Sequence, residues 1–156
     1  MIATPKQENY SLFTDGSSIQ NPGHAGAGAV LLDPFGTVIF SVGIYLGVAT
    51  NNVAEYEGLI LGAQQSLAYG LLKVSIFADS LLVVNQLKGL WRVKAPALKD
   101  YYQRARAILA KFDSWSIGHV YRRFNALADK MANSAAQLGK GGSLSQGTLL
   151  TNEDFL

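Results

Sequence analysis

Four acidic residues in this sequence lie where predicted secondary-structure elements begin or end, so their side chains could meet at one point. Asp15 closes the strand-like run YSLFTD, and Asp79 lies near the end of the strand-like run KVSIFADS. Glu55 and Asp129 fall in the first turns of two predicted helices. Four carboxylates at one point would repel one another unless cations lay between them. The pattern therefore suits a site for two divalent ions about 4 Å apart, which promotes in-line hydrolysis of a phosphodiester.

Each acid also has a simpler interpretation, because acids near helix N-termini and strand ends commonly serve as caps. Glu55 and Asp129 individually fit that role well. Asp79 fits it less well, since it ends a nearly all-apolar strand where a carboxylate without a partner is costly. The sequence has no cysteine and only two histidines, His24 and His119. Any metal site would therefore use oxygen ligands, which favours magnesium or manganese over zinc.

Composition and charge indicate one compact domain with two electrostatic halves. The 156 residues are 49% hydrophobic and 15% charged. We expect a cytoplasmic protein, because no apolar run reaches the roughly 20 residues of a membrane span and the first residues lack a secretory layout. Residues 1–80 carry two basic and six acidic side chains, whereas residues 81–140 carry eleven basic and three acidic ones. This asymmetry suits a protein that holds cations with one part and a polyanion with the other, although a solvated basic face explains it equally well.

The spacing of apolar residues predicts elements in the order βββαβααβα. Three strands come first, and the change to helical spacing after residue 51 predicts a helix capped by Asn51 or Asn52 and stopped by Gly70. Mixed strands and helices in this order favour a sheet with helices on both faces. We predict an N-terminal extension over residues 1–9, one catalytic domain over 10–138, and a linker with a tail over 139–156. The tail TLLTNEDFL is expected either to fray or to dock on the body.

Four segments in sequence order resemble the motifs of type 1 ribonuclease H, of the kind that lacks a long basic insertion. They are FTDGSSIQNPGHAGAG, TNNVAEYEGLILG, FADSLLVVNQLKG and HVYRRFNALADKMANSAA. The resemblance covers about residues 10 to 138. It implies an α/β ribonuclease H-like fold, whose five-stranded mixed sheet has three antiparallel strands followed by two parallel ones, with helices on both faces.

The resemblance also implies an activity and its requirements. The protein would be an endoribonuclease that hydrolyses the RNA strand of RNA–DNA hybrids with two Mg²⁺ or Mn²⁺ ions per active site, leaving 3′-hydroxyl and 5′-phosphate ends. Its partner would be the hybrid, and it would work as a monomer with no membrane and no small-molecule cofactor. Two rival functions stay open: a nuclease of the same fold that acts on double-stranded RNA or DNA, and a hybrid-binding module with weak or lost catalysis.

Carried over position by position, the resemblance assigns the acids as metal ligands. Asp15 would bridge both ions, Glu55 would also approach the ribose hydroxyl beside the cut, and Asp79 and Asp129 would complete the set. Short polar side chains suit the recognition of 2′-hydroxyls. The positions that resemble substrate contacts are Gly16, Ser17, Asn21, Thr50, Asn51, Asn52, Asn85, Trp91, Lys94 and Asn125. For Asn21 and Asn51 the alternative is that they only shape their turns.

The chain departs from the family pattern on the substrate side. Leu81 stands where many members have glutamine, so part of the minor-groove contact is expected to be lost or to pass to Asn85. The region after Gly89 carries basic residues but no long basic insertion, which predicts a weaker grip on phosphates.

The basic residue that assists catalysis is a choice between two candidates. A gapless count makes His119 the counterpart of a histidine that many members carry on a loop. The pattern SIGHVYR predicts instead that His119 belongs to a strand, and Arg122 at the end of that strand is the better candidate for a basic group on the leaving phosphate.

Glu55 and Glu57 are predicted to have different roles. Residues two apart on a helix differ by about 200° around its axis, so the two side chains cannot face one site. Glu55 is assigned to the metal, and Glu57 is expected to point toward solvent or a neighbouring basic side chain.

Overall fold

The computed structural model of the chain describes residues 9–155, so the predicted N-terminal extension lies outside the described residues except for Asn9. The elements keep the predicted order and add one strand at the end. Their bounds are β1 Ser11–Ser18, β2 Gly23–Leu32, β3 Val38–Ala49, α1 Asn51–Tyr69, β4 Lys73–Ala78, α2 Leu81–Leu87, α3 Pro96–Leu109, β5 Ser114–His119, α4 Ala126–Lys140 and β6 Leu149–Thr151. Short 3₁₀ turns occupy Arg122–Phe124 and Asn152–Phe155. Within residues 9–155, none of the helices combines the length and apolarity that crossing a membrane requires.

The strands form one mixed sheet in the order β5-β4-β1-β2-β3-β6. β1, β2 and β3 pair antiparallel, while β4 pairs parallel to β1 and β5 parallel to β4, as the sequence predicts. The predicted count of five strands is wrong by one, because β6 pairs with the edge of β3 and Gly43 lies opposite Leu150. Three residues are too few to show an alternating pattern, so the sequence gives no strand signal there. Of the two alternatives for the tail, docking on the body is the one that the structure shows.

Helices cover both faces of the sheet, which confirms the predicted layering. On one face α1 packs on β1 and β2, α3 packs on α1, and the main core includes Leu12 and Leu31. On the other face α4 packs across β2, β3 and β1 over a smaller core. That second core contains Val30, Met131 and Leu150, so the tail strand helps to close it.

Glycines let the helices touch the sheet backbone directly near the ends of the central strands. A Cβ at Gly16 of β1 would collide with the backbone of Ala54 in α1, and a Cβ at Gly58 of α1 would collide with the carbonyl oxygen of Asp15. On the other face, a Cβ at Gly28 would lie 2.7 Å from the backbone nitrogen of Ala132 in α4. These close approaches hold α1 against β1 on one face and α4 against β2 on the other.

The N-terminus of α1 differs from the prediction in its cap. Thr50 is the N-cap, with an extended backbone (φ −81°, ψ 162°), and its hydroxyl oxygen accepts a hydrogen bond from the Val53 N–H at 3.2 Å. Asn51 and Asn52 are the first residues of the helix itself. The predicted stop is confirmed, since Gly70 adopts a left-handed conformation with φ 109°.

Candidate active site

The four predicted carboxylates line one cavity of about 360 Å³ at the end of the central strands. One carboxylate oxygen from each of Asp15, Glu55 and Asp79 lies within 4.8 Å of the others. Asp129 faces the same cavity from the first turn of α4. Acids from four separate elements therefore meet at one place.

The sheet register explains why two of the acids are neighbours. Thr14 in β1 pairs in parallel with Ala78 in β4, so Asp15 and Asp79 follow side by side at the carboxyl ends of adjacent strands. Glu55 comes one turn into α1, the helix that touches β1 at Gly16 and Gly58. The convergence thus follows from parallel pairing and from helix–strand contact.

Burial and mutual repulsion change the titration of the cluster. Asp15 is 3% exposed, and this burial, with the nearby charge of Asp79, raises its pKa to about 7. Burial also raises the pKa of Glu55 well above its ordinary value, and the charges of Asp15 and Asp79 raise it further. Hydrogen bonds partly offset this at Asp15, whose Oδ1 accepts from the Gly16 N–H at 2.9 Å. Asp15 and Glu55 therefore hold protons at pH values where separate carboxylates would be ionised, and bound cations would relieve this electrostatic cost.

The two basic candidates occupy different surroundings. The Nη2 atom of Arg122 lies 3.5 Å from Oδ1 of Asp129, and Arg122 lines the acidic cavity. His119 belongs to β5, as predicted, but the strand ends at this residue and the predicted continuation to Arg122 is wrong, since Arg122 begins a 3₁₀ turn. The exposed His119 ring makes an edge-on contact with Tyr121 at 5.8 Å between centroids. The structure thus brings Arg122, and not His119, to the carboxylates.

The predicted substrate residues of the first loop and of α1 surround the cavity. Gly16, Ser17, Asn51 and Asn52 line it, together with two residues that were not predicted, Ser18 and Ser80. Ser80 follows Asp79 directly in the sequence and caps α2. Its position beside an acidic residue is the sequence feature that could have indicated a place in the site.

Hydrogen bonds show how the asparagines shape this region. The Asn51 N–H donates to Oδ1 of Asn21, and the Ser18 N–H donates to Oδ1 of Asn51, each at 2.9 Å. The side-chain oxygens of both asparagines thus take part in joining the first loop to α1, and both residues stay exposed. The turn-shaping role is therefore present in the structure.

Asn125 lies at the start of α4, as predicted, but its side chain is buried. It is 1% exposed, and its Nδ2 atom donates a hydrogen bond of 2.9 Å to the carbonyl oxygen of Thr14. Its amide lies in the interior and joins β1 to the start of α4, one residue before Asp15. Asn125 thus fixes two ligand-bearing elements to each other, and a direct contact with substrate is the wrong description of this buried group.

The remaining predicted substrate residues lie away from the carboxylates. Asn85 is in α2, and Trp91 lines a separate depression between α2 and α3. Lys94 is exposed in the connection between these helices. The separation of Glu57 from the site is confirmed, since its Oε1 atom lies 3.4 Å from Nη2 of Arg104 in α3.

A mixed sheet covered by helices on both faces, with carboxylates at the ends of two central parallel strands, defines a ribonuclease H-like α/β protein. The family model described as "Reverse transcriptase-like" matches residues 13–135. The chain is 42% identical over 123 residues to "Ribonuclease HI" of Halobacterium salinarum, a match that covers 79% of this chain and 62% of that protein. It is also 42% identical over 122 residues to "Bifunctional protein Rv2228c" of Mycobacterium tuberculosis, covering 78% of this chain and 34% of that one.

Solved structures agree with these sequence matches. The RNase H1 from the halophilic archaeon Halobacterium salinarum NRC-1 superposes with a TM-score of 0.80 at 40% identity, covering 82% of this chain and 97% of that one. LC11-RNase H1, solved in complex with an RNA/DNA hybrid, gives a TM-score of 0.80 at 33% identity and covers 84% of this chain and 99% of that one. The chain belongs to the type 1 ribonuclease H family.

Proposed function

We propose that this protein is a metal-dependent endoribonuclease that hydrolyses the RNA strand of RNA–DNA hybrids. The observation that carries the proposal is the meeting of Asp15, Glu55, Asp79 and Asp129 in one cavity, with oxygens of the first three within 4.8 Å of one another. The similarity to LC11-RNase H1, which binds an RNA/DNA hybrid in its solved structure, supports the choice of substrate.

The residues present fit a divalent metal centre. The donor set is made of carboxylate oxygens, which suit Mg²⁺ or Mn²⁺, and the raised pKa values of Asp15 and Glu55 reveal an excess of negative charge that cations would neutralise. We propose that the four acids would hold two such ions. When bound, divalent ions supply the charge stabilisation for phosphodiester hydrolysis.

The other residues of the site would orient the acids and the substrate. The Gly16 N–H fixes one oxygen of Asp15, and Asn125 fixes the backbone just before it. Arg122 would place its positive charge beside the leaving phosphate. Ser17 and Asn52 at the cavity wall would contact the sugar and its 2′-hydroxyl. Hydrolysis would leave a 3′-hydroxyl and a 5′-phosphate.

Further expectations from the sequence belong to the same proposal. The catalytic unit would be residues 10–138, with the docked tail serving stability. The enzyme would act in the cytoplasm as a monomer and would need no small-molecule cofactor.

The decisive experiment is cleavage of a labelled RNA–DNA hybrid with Mg²⁺ or Mn²⁺, run beside duplex RNA and duplex DNA. We expect the wild-type chain to cut the RNA of the hybrid and Asp79→Asn to abolish cutting while keeping the circular dichroism spectrum. Asp113→Asn, which changes an exposed acid between α3 and β5, is the matched control and should stay active. Full activity of Asp79→Asn would contradict the site, and preferred cleavage of either duplex would redirect the substrate assignment.

A further inference from the structure

An exposed row of side chains follows β5 and leads to α4. We call the four residues His119, Tyr121, Arg123 and Phe124 the β5–α4 stack. The guanidinium carbon of Arg123 lies 5.3 Å from the ring centroid of Tyr121 and 4.8 Å from that of Phe124, and the His119 ring contacts Tyr121 edge-on. Tyr121 is 66% exposed and Phe124 62% exposed. Four flat groups thus form one continuous surface in contact with solvent.

The chemistry of the stack fits nucleic acid better than an ordinary polar surface. Single exposed apolar residues need no explanation, but two exposed rings with an arginine between them are a different arrangement. Residues 119–125 contain two arginines and no acid, so the segment attracts phosphates. Aromatic rings and guanidinium groups with open faces bind unpaired bases by stacking, whatever the base.

The position of the stack connects it to the acidic cavity. Arg122 stands between Tyr121 and Arg123 in the chain, and consecutive Cα atoms are about 3.8 Å apart. Arg122 lines the cavity beside Asp129. A strand held at the carboxylates and passing Arg122 would therefore reach the stack as it leaves the cavity.

We propose that the β5–α4 stack binds unpaired nucleotides of the RNA strand where that strand extends beyond the hybrid. This inference rests on the proposed function, because it takes the RNA strand to be the one held in the cavity. Paired bases hide their faces in the duplex, whereas the bases of an extension are free to stack on Tyr121 and Phe124. The protein would thus distinguish hybrids with a protruding RNA end from blunt ones.

Fluorescence anisotropy with three short hybrids tests the proposal. One hybrid is blunt, and the others carry an oligouridylate extension of about six nucleotides at the 5′ or the 3′ end of the RNA, a length within the usual reach of single-strand binding surfaces. Binding is measured in EDTA so that no turnover is needed. We expect the wild type to bind one extended hybrid about fivefold to tenfold more tightly than the blunt one, which is the lower end of the gain that stacking of one base provides.

Matched variants separate the stack from other surfaces. Tyr121→Ala and the double variant Tyr121→Ala with Phe124→Ala should reduce the ratio of extended to blunt affinity to about one, while Tyr121→Phe should keep it. Phe35→Ala is the control. Phe35 is 93% exposed in the turn between β2 and β3. This turn lies beyond the start of β1, away from Asp15. Thermal unfolding of each variant verifies that it folds, and the single Tyr121→Ala variant carries the test if the double variant does not.

Two results would overturn the inference: equal wild-type affinity for all three hybrids, or a preference that survives in Tyr121→Ala. Cleavage of the blunt hybrid with Mg²⁺ tests the proposed function separately. Cleavage without a preference for extensions would refute the stack alone. A preference without cleavage would support binding by the stack and refute the nuclease.

Discussion

Replacing Asp15 with asparagine should stabilise the metal-free protein at neutral pH and above. Asp15 is buried, and this burial raises its pKa most, while the charge of Asp79 and the hydrogen bond with Asp129 raise it further. Asparagine has nearly the same shape, keeps an oxygen that can accept the Gly16 N–H, and cannot ionise. The substitution therefore removes the electrostatic cost and leaves the packing in place.

The sign and size of the effect follow from the pKa of Asp15. In the unfolded chain the group loses its proton near its ordinary value of 3.8, whereas the folded protein keeps it until a pKa of about 7. Between these values the folded state binds more protons, so stability is present at pH 4 and is lost as the pH rises through 7. The difference between a pKa of 3.8 and one of about 7 corresponds to at most about 4 kcal/mol of folding free energy. Relaxation of the site should leave about half of this, about 2 kcal/mol, or a rise in Tm of about 4–8 °C.

Urea unfolding in EDTA, followed by circular dichroism from pH 4 to pH 8, measures the difference between the two proteins. We expect the Asp15→Asn variant to match the wild type at pH 4 and to exceed it at pH 8. Asp100→Asn, on an exposed position of α3, should follow the wild-type curve. Added Mg²⁺ should stabilise the wild type and have much less effect on Asp15→Asn, because the central ligand is gone. Equal stability at pH 8, or a difference that does not change with pH, would contradict a raised pKa of Asp15 in the folded protein.

Four other substitutions test three separate parts of the structure. Glu55→Gln should be nearly inactive in the hybrid assay, whereas Glu57→Gln should be nearly normal. The stability change in Glu57→Gln should stay below about 1 kcal/mol, because the ion pair of Glu57 with α3 is partly solvated. Equal loss of activity in both variants would contradict the two roles. Asn125→Ala should lower the free energy of unfolding by about 1–3 kcal/mol, because the Thr14 carbonyl would lose its buried hydrogen-bond donor. An unchanged urea midpoint would show that this hydrogen bond does not contribute to stability. Leu150→Ala should lower the free energy of unfolding by about 2 kcal/mol, because it empties part of the core under α4. An unfolding temperature equal to that of the wild type would mean that the tail strand does not support that core.

The residues that the sequence predicted well are those whose chemistry conflicts with a regular pattern. Asp15 and Asp79 end apolar strands, and parallel pairing then leaves them side by side. The apolar residues repeat every two positions in the strands and every 3.6 positions in α1, and these periods predicted the layered arrangement of sheet and helices. The helical period also predicted that Glu55 and Glu57 face different directions. Such features depend on local spacing, which a single sequence contains.

The features that the sequence missed depend on contacts between distant segments. β6 is three residues long and exists because Leu150 fills a space under α4. Asn125 looked like a polar residue at a helix start, yet its partner is the Thr14 carbonyl, 111 positions away in the chain. The choice of Thr50 over Asn51 as the cap depends on where the backbone turns after β3. None of these choices leaves a periodic signal in the sequence.

The contact between α1 and β1 has a consequence for which ion the site would accept. Gly16 and Gly58 leave no room for a side chain between the two backbones. The main chain itself therefore fixes the distance between β1, which bears Asp15, and α1, which bears Glu55. A distance defined by two backbones in contact is rigid, because it does not widen as a distance between flexible side chains would. Mg²⁺ binds oxygen at about 2.1 Å and Ca²⁺ at about 2.3–2.6 Å. Any selection by ionic radius would then depend on two residues that have no side chain.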